Sequence, residues 1–271
     1  MKNYDKIILE HYKQVASESG DSHLSTMSHE FIREMETKEI LSFIAYLIEH
    51  KNISKSTTIA DVGCGNGFSL QIMSKSYPDF NYIGYEYTPE LLEIAANRFQ
   101  DIPNVKVLQA DIRDSSQLII KDIDVLFCQR VLINLLDIND QKTALINLAN
   151  IVKPGGYLFF IETLQSGLDN LNAARKEFDL VPLPPAHHNL NLPDDFFEMP
   201  DLLQEVNLPD KYKYDNFLSS YYYVARVFHP LVLGDRPFSR DSHFVKFFTQ
   251  GLSKNIEEKY SPLRIKIMQR K

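Results

Sequence analysis

The residues with the most chemistry in them stand at the ends of hydrophobic runs. Ile59-Ala-Asp-Val-Gly-Cys-Gly-Asn-Gly67 reads as a buried strand entering a tight glycine turn, and Asn81-Tyr-Ile-Gly-Tyr-Glu-Tyr-Thr88 as a second strand ending in Glu86 and Tyr87. A backbone bared by glycine lets a ligand approach closely, and a carboxylate at the neighbouring strand end can accept both hydroxyls of a ribose. Together they describe a nucleoside site. A dinucleotide site uses Gly-x-Gly-x-x-Gly, whose third glycine lets the helix pack on the sheet while its N-terminus faces a pyrophosphate. Here the glycines are Gly63, Gly65 and Gly67, and Phe68 stands where that third glycine would be. Asp61, two residues before the first glycine, would repel a pyrophosphate and suits a ligand with an ammonium group. A nicotinamide oxidoreductase is disfavoured on both counts.

Asp-x-Gly-x-Gly-x-Gly resembles the first motif of class I S-adenosylmethionine-dependent methyltransferases. Further stretches follow in that family's order: Val105-Lys-Val-Leu-Gln-Ala-Asp-Ile112, Asp124-Val-Leu-Phe-Cys-Gln-Arg130 and Lys153-Pro-Gly-Gly-Tyr-Leu-Phe-Phe-Ile-Glu162. The resemblance implies that Asp111 accepts from the adenine amino group and that Ile112 offers its backbone, beside Glu86 and Tyr87. A narrower likeness, to bacterial small-molecule methyltransferases of which some tailor surface polysaccharides, rests on Gln129-Arg-Val-Leu-Ile-Asn-Leu135, Gly167-Leu-Asp-Asn-Leu-Asn-Ala-Ala-Arg175, His188-Asn189, Ser220-Tyr-Tyr-Tyr-Val-Ala-Arg226 and Ser261-Pro-Leu-Arg264. That group tends to carry Glu at the position of Gln129, a methionine-end contact, and Trp at that of His187.

Methyl transfer from a sulfonium needs an aligned nucleophile and a dry site; orientation alone can supply several kcal/mol. A hydroxyl acceptor also needs a proton sink, whereas an anionic oxygen needs only a positive clamp. His188 is the candidate base, with an ordinary pKa near 6.5 and a stiff Pro-Pro turn before it; a surface or helix-capping histidine is the alternative. Arg130, just past the fourth strand, and Arg226, one helical turn from Tyr222, can grip an anion bidentately, unless Arg130 pairs with a helix-end acid and the tyrosines are core. Arg33 and Tyr12 can hold the methionine carboxylate or close over it. Glu162 and Asn189 complete the acceptor candidates, with Glu162 serving the acceptor or capping the next helix. No Asn-Pro-Pro-Tyr or Asp-Pro-Pro-Tyr follows the fourth strand and no Pro-Cys nucleophile is present, which sets aside methylation of adenine or glutamine amino groups and of cytosine carbon. Cys128-Gln129-Arg130 offers no hard oxygen ligands, so no metal is expected.

The elements that must position these groups alternate strand with helix, which predicts a Rossmann-like α/β fold with a mainly parallel seven-stranded sheet, an antiparallel last strand at Leu263–Gln269, and helices on both faces. Ile40, Leu41, Ile44, Leu47 and Ile48 mark one helical face that should lie on the sheet; Leu145, Leu148, Ala149 and Val152 mark another, begun near Asn139 or Asp140. The expected organisation is one domain: an N-terminal helical lid (1–56), a cofactor core (57–163), an acceptor-side insertion (164–210) and C-terminal strands with an inserted helix (211–271). Six of the 13 prolines fall between Pro182 and Pro209, so the insertion should be largely irregular. A sixth strand should precede the helical stretch Phe217–Phe228, whose aromatic face is either a pocket wall or a homodimer seam.

Length, 271 residues, and composition, 44% hydrophobic and 24% charged, suit such a domain. A net charge of −7 argues against bulk nucleic-acid binding. The absence of a long apolar run or of a signal-peptide pattern at Met1–Lys6 predicts a cytoplasmic protein. Cys64 and Cys128 offer no disulfide framework and read as small packing residues. A binding module that retains cofactor without catalysis, and nitrogen methylation of an amine or amino sugar, are the competing functions.

Overall fold

The computed structural model describes residues 2, 4–27, 29–50, 52–209, 212, 218–234, 236, 242–252 and 259–271. Seven strands form one sheet: β1 (Thr58–Val62), β2 (Asn81–Glu86), β3 (Val105–Gln109), β4 (Ile123–Gln129), β5 (Val152–Thr163), β6 (Leu203–Glu205) and β7 (Leu263–Arg270). Their order is β3-β2-β1-β4-β5-β7-β6. Pairing is parallel from β3 through β5, and β7 runs antiparallel to both neighbours. This is the expected Rossmann-like sheet.

Both faces are covered because successive side chains on a strand point to opposite sides. Phe127 and Phe159 join the core beneath α2 (Glu30–Glu49), with Ile40, Phe43, Ile44 and Leu47. Cys128, Leu126 and Phe160 join the opposite core, with Ala144, Leu145 and Leu148 of α5 (Ile138–Ile151). Each such side chain, fully buried, contributes roughly 1.5–3 kcal/mol. The start of α5 is set by Asp137, whose side chain accepts from the backbone N–H of Asn139 at 2.8 Å and of Asp140 at 3.2 Å. The helix therefore begins slightly ahead of the expected Asn139 or Asp140.

Two segments depart from expectation. The stretch read as lid is divided between α1 (Asp5–Ser19) and the first turns of α2, which bury Ile32, Arg33 and Glu36. The insertion after β5 opens with α6 (Gln165–Lys176), and the sixth strand lies inside it at Leu203–Glu205, ahead of its expected place. Phe217 lies outside the described residues. From Ser219 the chain forms α7 (Ser219–Tyr223), a π-helical turn (Val224–Phe228) and α8 (His229–Leu233). The remaining helices are α3 (Phe68–Ser76), α4 (Pro89–Phe99) and α9 (His243–Gly251). No helix among the described residues is long and apolar enough to cross a membrane.

One buried acid fixes the chain after β4. Glu162, near the end of β5, accepts from the backbone N–H of Val131 (2.9 Å), Leu132 (3.0 Å) and Ile133 (3.3 Å), and from the Cys128 thiol at 3.6 Å. It holds the 3-10 turn Leu132–Asn134 that follows β4, not the helix that follows β5 and not a surface open to an acceptor. Burial pushes its carboxyl up to about 7, against the opposing pull of the three N–H donors and Arg130. Because the folded pKa lies above the ordinary 4.5, the native state keeps a proton that the unfolded chain has lost between those values. Stability from this group is therefore full below pH 4.5 and falls as pH rises through about 7, by up to about 1.4 kcal/mol per pH unit. Urea midpoints measured across that window should decline with pH, and Glu162→Gln should flatten part of the decline; an unchanged slope in the variant would refute this role.

Candidate active site

A cavity opens at the carboxyl ends of β1, β2 and β4, where a doubly wound sheet binds ligands. Its walls include Asp61, Gly63, Gly65, Glu86, Tyr87, Asp111, Ile112, Gln129, Arg33, Tyr12 and Arg130. Gly67, Glu162, His188, Asn189, Tyr222 and Arg226 do not line it. The sequence thus brings together the residues read as cofactor contacts, apart from Gly67, and places most acceptor candidates elsewhere.

The glycine turn is built against β2. Gly63 and Cys64 donate their N–H to the Tyr85 carbonyl at 2.7 and 3.0 Å. Gly65 donates to Glu86 Oε2 at 2.8 Å, and Glu86 Oε1 accepts from the Thr88 N–H at 2.8 Å. Burial pushes this carboxyl up, against the pull of donors from Thr88, Gly65 and Tyr87. Gly65 has φ +57, and a Cβ there would lie 2.8 Å from Thr26 Cγ2. Gly67 serves packing instead of the ligand: a Cβ would meet the Phe99 ring of α4 at 2.6 Å.

At the adenine end Asp111 is already engaged, its oxygens accepting from Arg113 Nε at 2.9 and 3.1 Å and Nη2 at 2.6 Å. Arg113 also donates to Asp5 at 2.7 Å and lies over the rings of Tyr4 and Tyr87. Tyr4, Asp5 and Ile8 therefore line the same cavity, a contribution of α1 and the residues before it that strand-and-turn patterns do not signal. Thr26, Asn66, Ser69 and Asn134 also line the cavity without having been singled out, although Asn66 lies within the Ile59–Gly67 stretch and Asn134 within Gln129–Leu135.

The opposite end holds charge without enough partners. Asp61 is buried, and its carboxyl is pushed up to about 7 by burial and the nearby Glu86, against the pull of Arg33. Asp61 Oδ2, Gln129 Oε1 and Arg33 Nε are all buried without a hydrogen-bond partner. Arg33 Nη2 donates to Thr26 Oγ1 at 2.6 Å, and burial beside Arg130 lowers its pKa to about 10. Two orphaned acceptors facing one orphaned donor match a zwitterion, an ammonium beside a carboxylate. The amino-acid end of S-adenosylmethionine is such a group, and Glu86 fits its ribose.

Arg130 sits between the two functions. Its φ of +54 is strained for a residue with a side chain. The conformation persists because its N–H donates to the Ile161 carbonyl at 2.8 Å and Glu162 holds the next three N–H groups. The guanidinium pairs with buried Glu36 of α2, the acid-pairing alternative to a free anion clamp, and reaches the Thr26 carbonyl at 3.4 Å. Its pKa is raised: burial works against the charge, but Glu36 outweighs it.

The other acceptor candidates group away from the cavity wall. His188 stacks on His11, and its pKa is lowered to about 4 by burial, His11 and His187, which makes it a weak base. Asn189 accepts from Asn134 Nδ2 at 2.9 Å, and Asn134 Oδ1 accepts from Tyr12 at 2.8 Å, so Asn189 touches the wall through one intermediary. Tyr222 packs among the core aromatics. Arg226 lies in the π-helical turn, away from the cavity wall. Its carbonyl accepts from Arg175.

Comparisons with known proteins agree with the geometry. The family described as methyltransferase domain matches residues 53–207. The trans-aconitate 2-methyltransferase of Azoarcus sp. (strain BH72) is 29% identical over 112 residues, covering 41% of each chain. The malonyl-[acyl-carrier protein] O-methyltransferase of Halalkalibacterium halodurans is 24% identical over 177 residues, covering 62% of this chain and 64% of that protein. The matches thus span less than two thirds of either relative. Among solved structures, Haemonchus contortus phosphoethanolamine N-methyltransferase 1 is 15% identical over 60% of this chain and 32% of its own, with a TM-score of 0.47. With more than half of its length matched, the chain belongs to the methyltransferase-domain family, in the class I group whose cofactor is S-adenosylmethionine.

Proposed function

We propose that this protein transfers a methyl group to a small polar or anionic acceptor at oxygen, such as a sugar hydroxyl, a phosphate or a phosphoramidate. The observation that carries the reading is Arg130, held at positive φ with its guanidinium in the cavity wall. Bound S-adenosylmethionine supplies an electrophilic methyl on a sulfonium. Asp61 and Gln129 take the ammonium of the cofactor, Arg33 its carboxylate, and Glu86 its ribose. Arg130, its charge already shared with Glu36, offers its remaining N–H groups to the acceptor, which orients an anionic oxygen without needing a base. Nitrogen methylation of an amine would call for a carboxylate at the acceptor; the turn-forming contacts of Glu162 remove that candidate. A role in surface polysaccharide tailoring and a cytoplasmic location are consistent extensions of this reading. A non-catalytic binding module would bind cofactor but release no product.

Calorimetric titration with S-adenosylmethionine and S-adenosylhomocysteine, followed by a screen of phosphorylated and sugar-nucleotide acceptors for S-adenosylhomocysteine release, tests the whole. Binding with turnover supports the enzyme, binding without turnover favours the module, and absence of binding overturns both. Gly65→Arg should abolish cofactor binding while circular dichroism shows the fold retained; unchanged affinity would sink the turn's assignment. Arg130→Ala should cut kcat/KM for the acceptor by about 30-fold or more with little change in cofactor affinity. An equal loss of cofactor affinity would move Arg130 to the methionine end. A cation beside Asp61 favours its ionised form, so cofactor binding should release a proton below pH about 7 and tighten as pH rises to that value. Heats in buffers of different ionisation enthalpy should reveal the proton, and Asp61→Asn should remove it.

A further inference from the structure

Three imidazoles meet where α1 approaches the proline-rich loop that follows α6. His11 of α1 stacks on His188 with ring centroids 3.9 Å apart and planes 19° apart. His187 stands nearly perpendicular to both, 4.9 Å from His188 and 5.8 Å from His11. One ring nitrogen from each lies within 4.8 Å of the other two, and this is the one such trio of His, Cys, Asp or Glu side chains among the described residues. His188 Nδ1 is buried without a hydrogen-bond partner. Ring stacking alone would account for His11 and His188 as packing. It leaves that nitrogen unsatisfied and gives the third histidine no purpose.

We propose that His11, His187 and His188 bind a divalent transition metal of the zinc class. Three imidazoles are a donor set for zinc, cobalt, nickel or copper and a poor one for magnesium or calcium. A tetrahedral zinc with bonds of about 2.0–2.1 Å places its ligand nitrogens about 3.4 Å apart, so binding must turn the stacked rings of His11 and His188 out of parallel to aim both lone pairs at one ion. Three protein nitrogens leave a fourth position for water or an anionic oxygen, the pattern of an open site and not of a closed structural one. The expectation of no metal rests on the stretch after the fourth strand alone; His11 and the His187–His188 pair, separated by the whole cofactor core, meet only in the folded chain.

The site is coupled to the cavity by short links. Tyr12, the neighbour of His11, lines the cavity and donates to Asn134 Oδ1 at 2.8 Å. Asn134 Nδ2 donates to the His188 carbonyl at 3.3 Å and to Asn189 Oδ1 at 2.9 Å. A metal joining His11 to the loop therefore fixes the helix that carries Asp5, Ile8 and Tyr12 into the cavity wall.

The test is calorimetric titration of the untagged full chain with zinc chloride, with visible absorption of the cobalt-substituted protein as a second readout. One metal per chain and the intense visible bands of tetrahedral cobalt are expected. His187→Ala should weaken binding by at least about tenfold, since loss of even an outer-shell partner costs that much. His187 is exposed on a loop, so its replacement leaves the fold testable by circular dichroism even if His11→Ala or His188→Ala does not fold. Absence of stoichiometric binding by the unaltered chain, or the same affinity in His187→Ala, would overturn the proposal.

Discussion

The carboxylate of Glu162 is the constraint on which the cavity depends. It lies at 1% exposure at the end of β5, and a charge so placed would be costly without partners. Three successive backbone N–H groups supply them. Their convergence on one side chain bends the chain after β4 so sharply that Arg130 must take a left-handed conformation. Arg130 then meets buried Glu36 of α2, and Asn134 faces Tyr12 and Asn189. Helix α2, the β4 turn, α1 and the insertion are thereby registered to one another through a single buried acid.

The two ends of the cavity differ in how well their charges are paired. At the adenine end Asp5 and Asp111 are paired with Arg113, whereas at the other end Asp61 and Arg33 stand near one another with buried atoms left unpartnered. Glu36 outweighs burial at Arg130, whereas burial, with Arg130 beside it, dominates at Arg33. A neutral nucleoside would satisfy only one half of this arrangement. A ligand with both signs of charge at one end satisfies both.

The sheet and the nucleoside end were legible in the sequence because their signals are local. Hydrophobic runs mark β1, β2 and β4, a glycine turn follows β1, and Asp61 and Glu86 sit at fixed offsets from it. What was not legible depends on contacts between distant segments. Nothing near Glu162 announces that it will cap a turn some thirty residues earlier in the chain, and nothing near Tyr4 or Asp5 announces Arg113. Helical spacing suggested an anion clamp of Tyr222 and Arg226, but which face of that helix meets the cavity is decided by distant packing, and Tyr222 lies against the core. Strand β6, at Leu203–Glu205, is short, which leaves too little alternation to detect.

The position of β7 has a consequence for biosynthesis. It lies between β5 and β6, yet it is encoded after both, so β6 has no partner in the sheet until Leu263–Arg270 has been synthesised. During translation β5 presents an unpaired edge of apolar residues, Leu158 to Ile161, of the kind that invites association with other nascent chains. The strand that completes the fold on one chain thus also shields it from its neighbours on the same message.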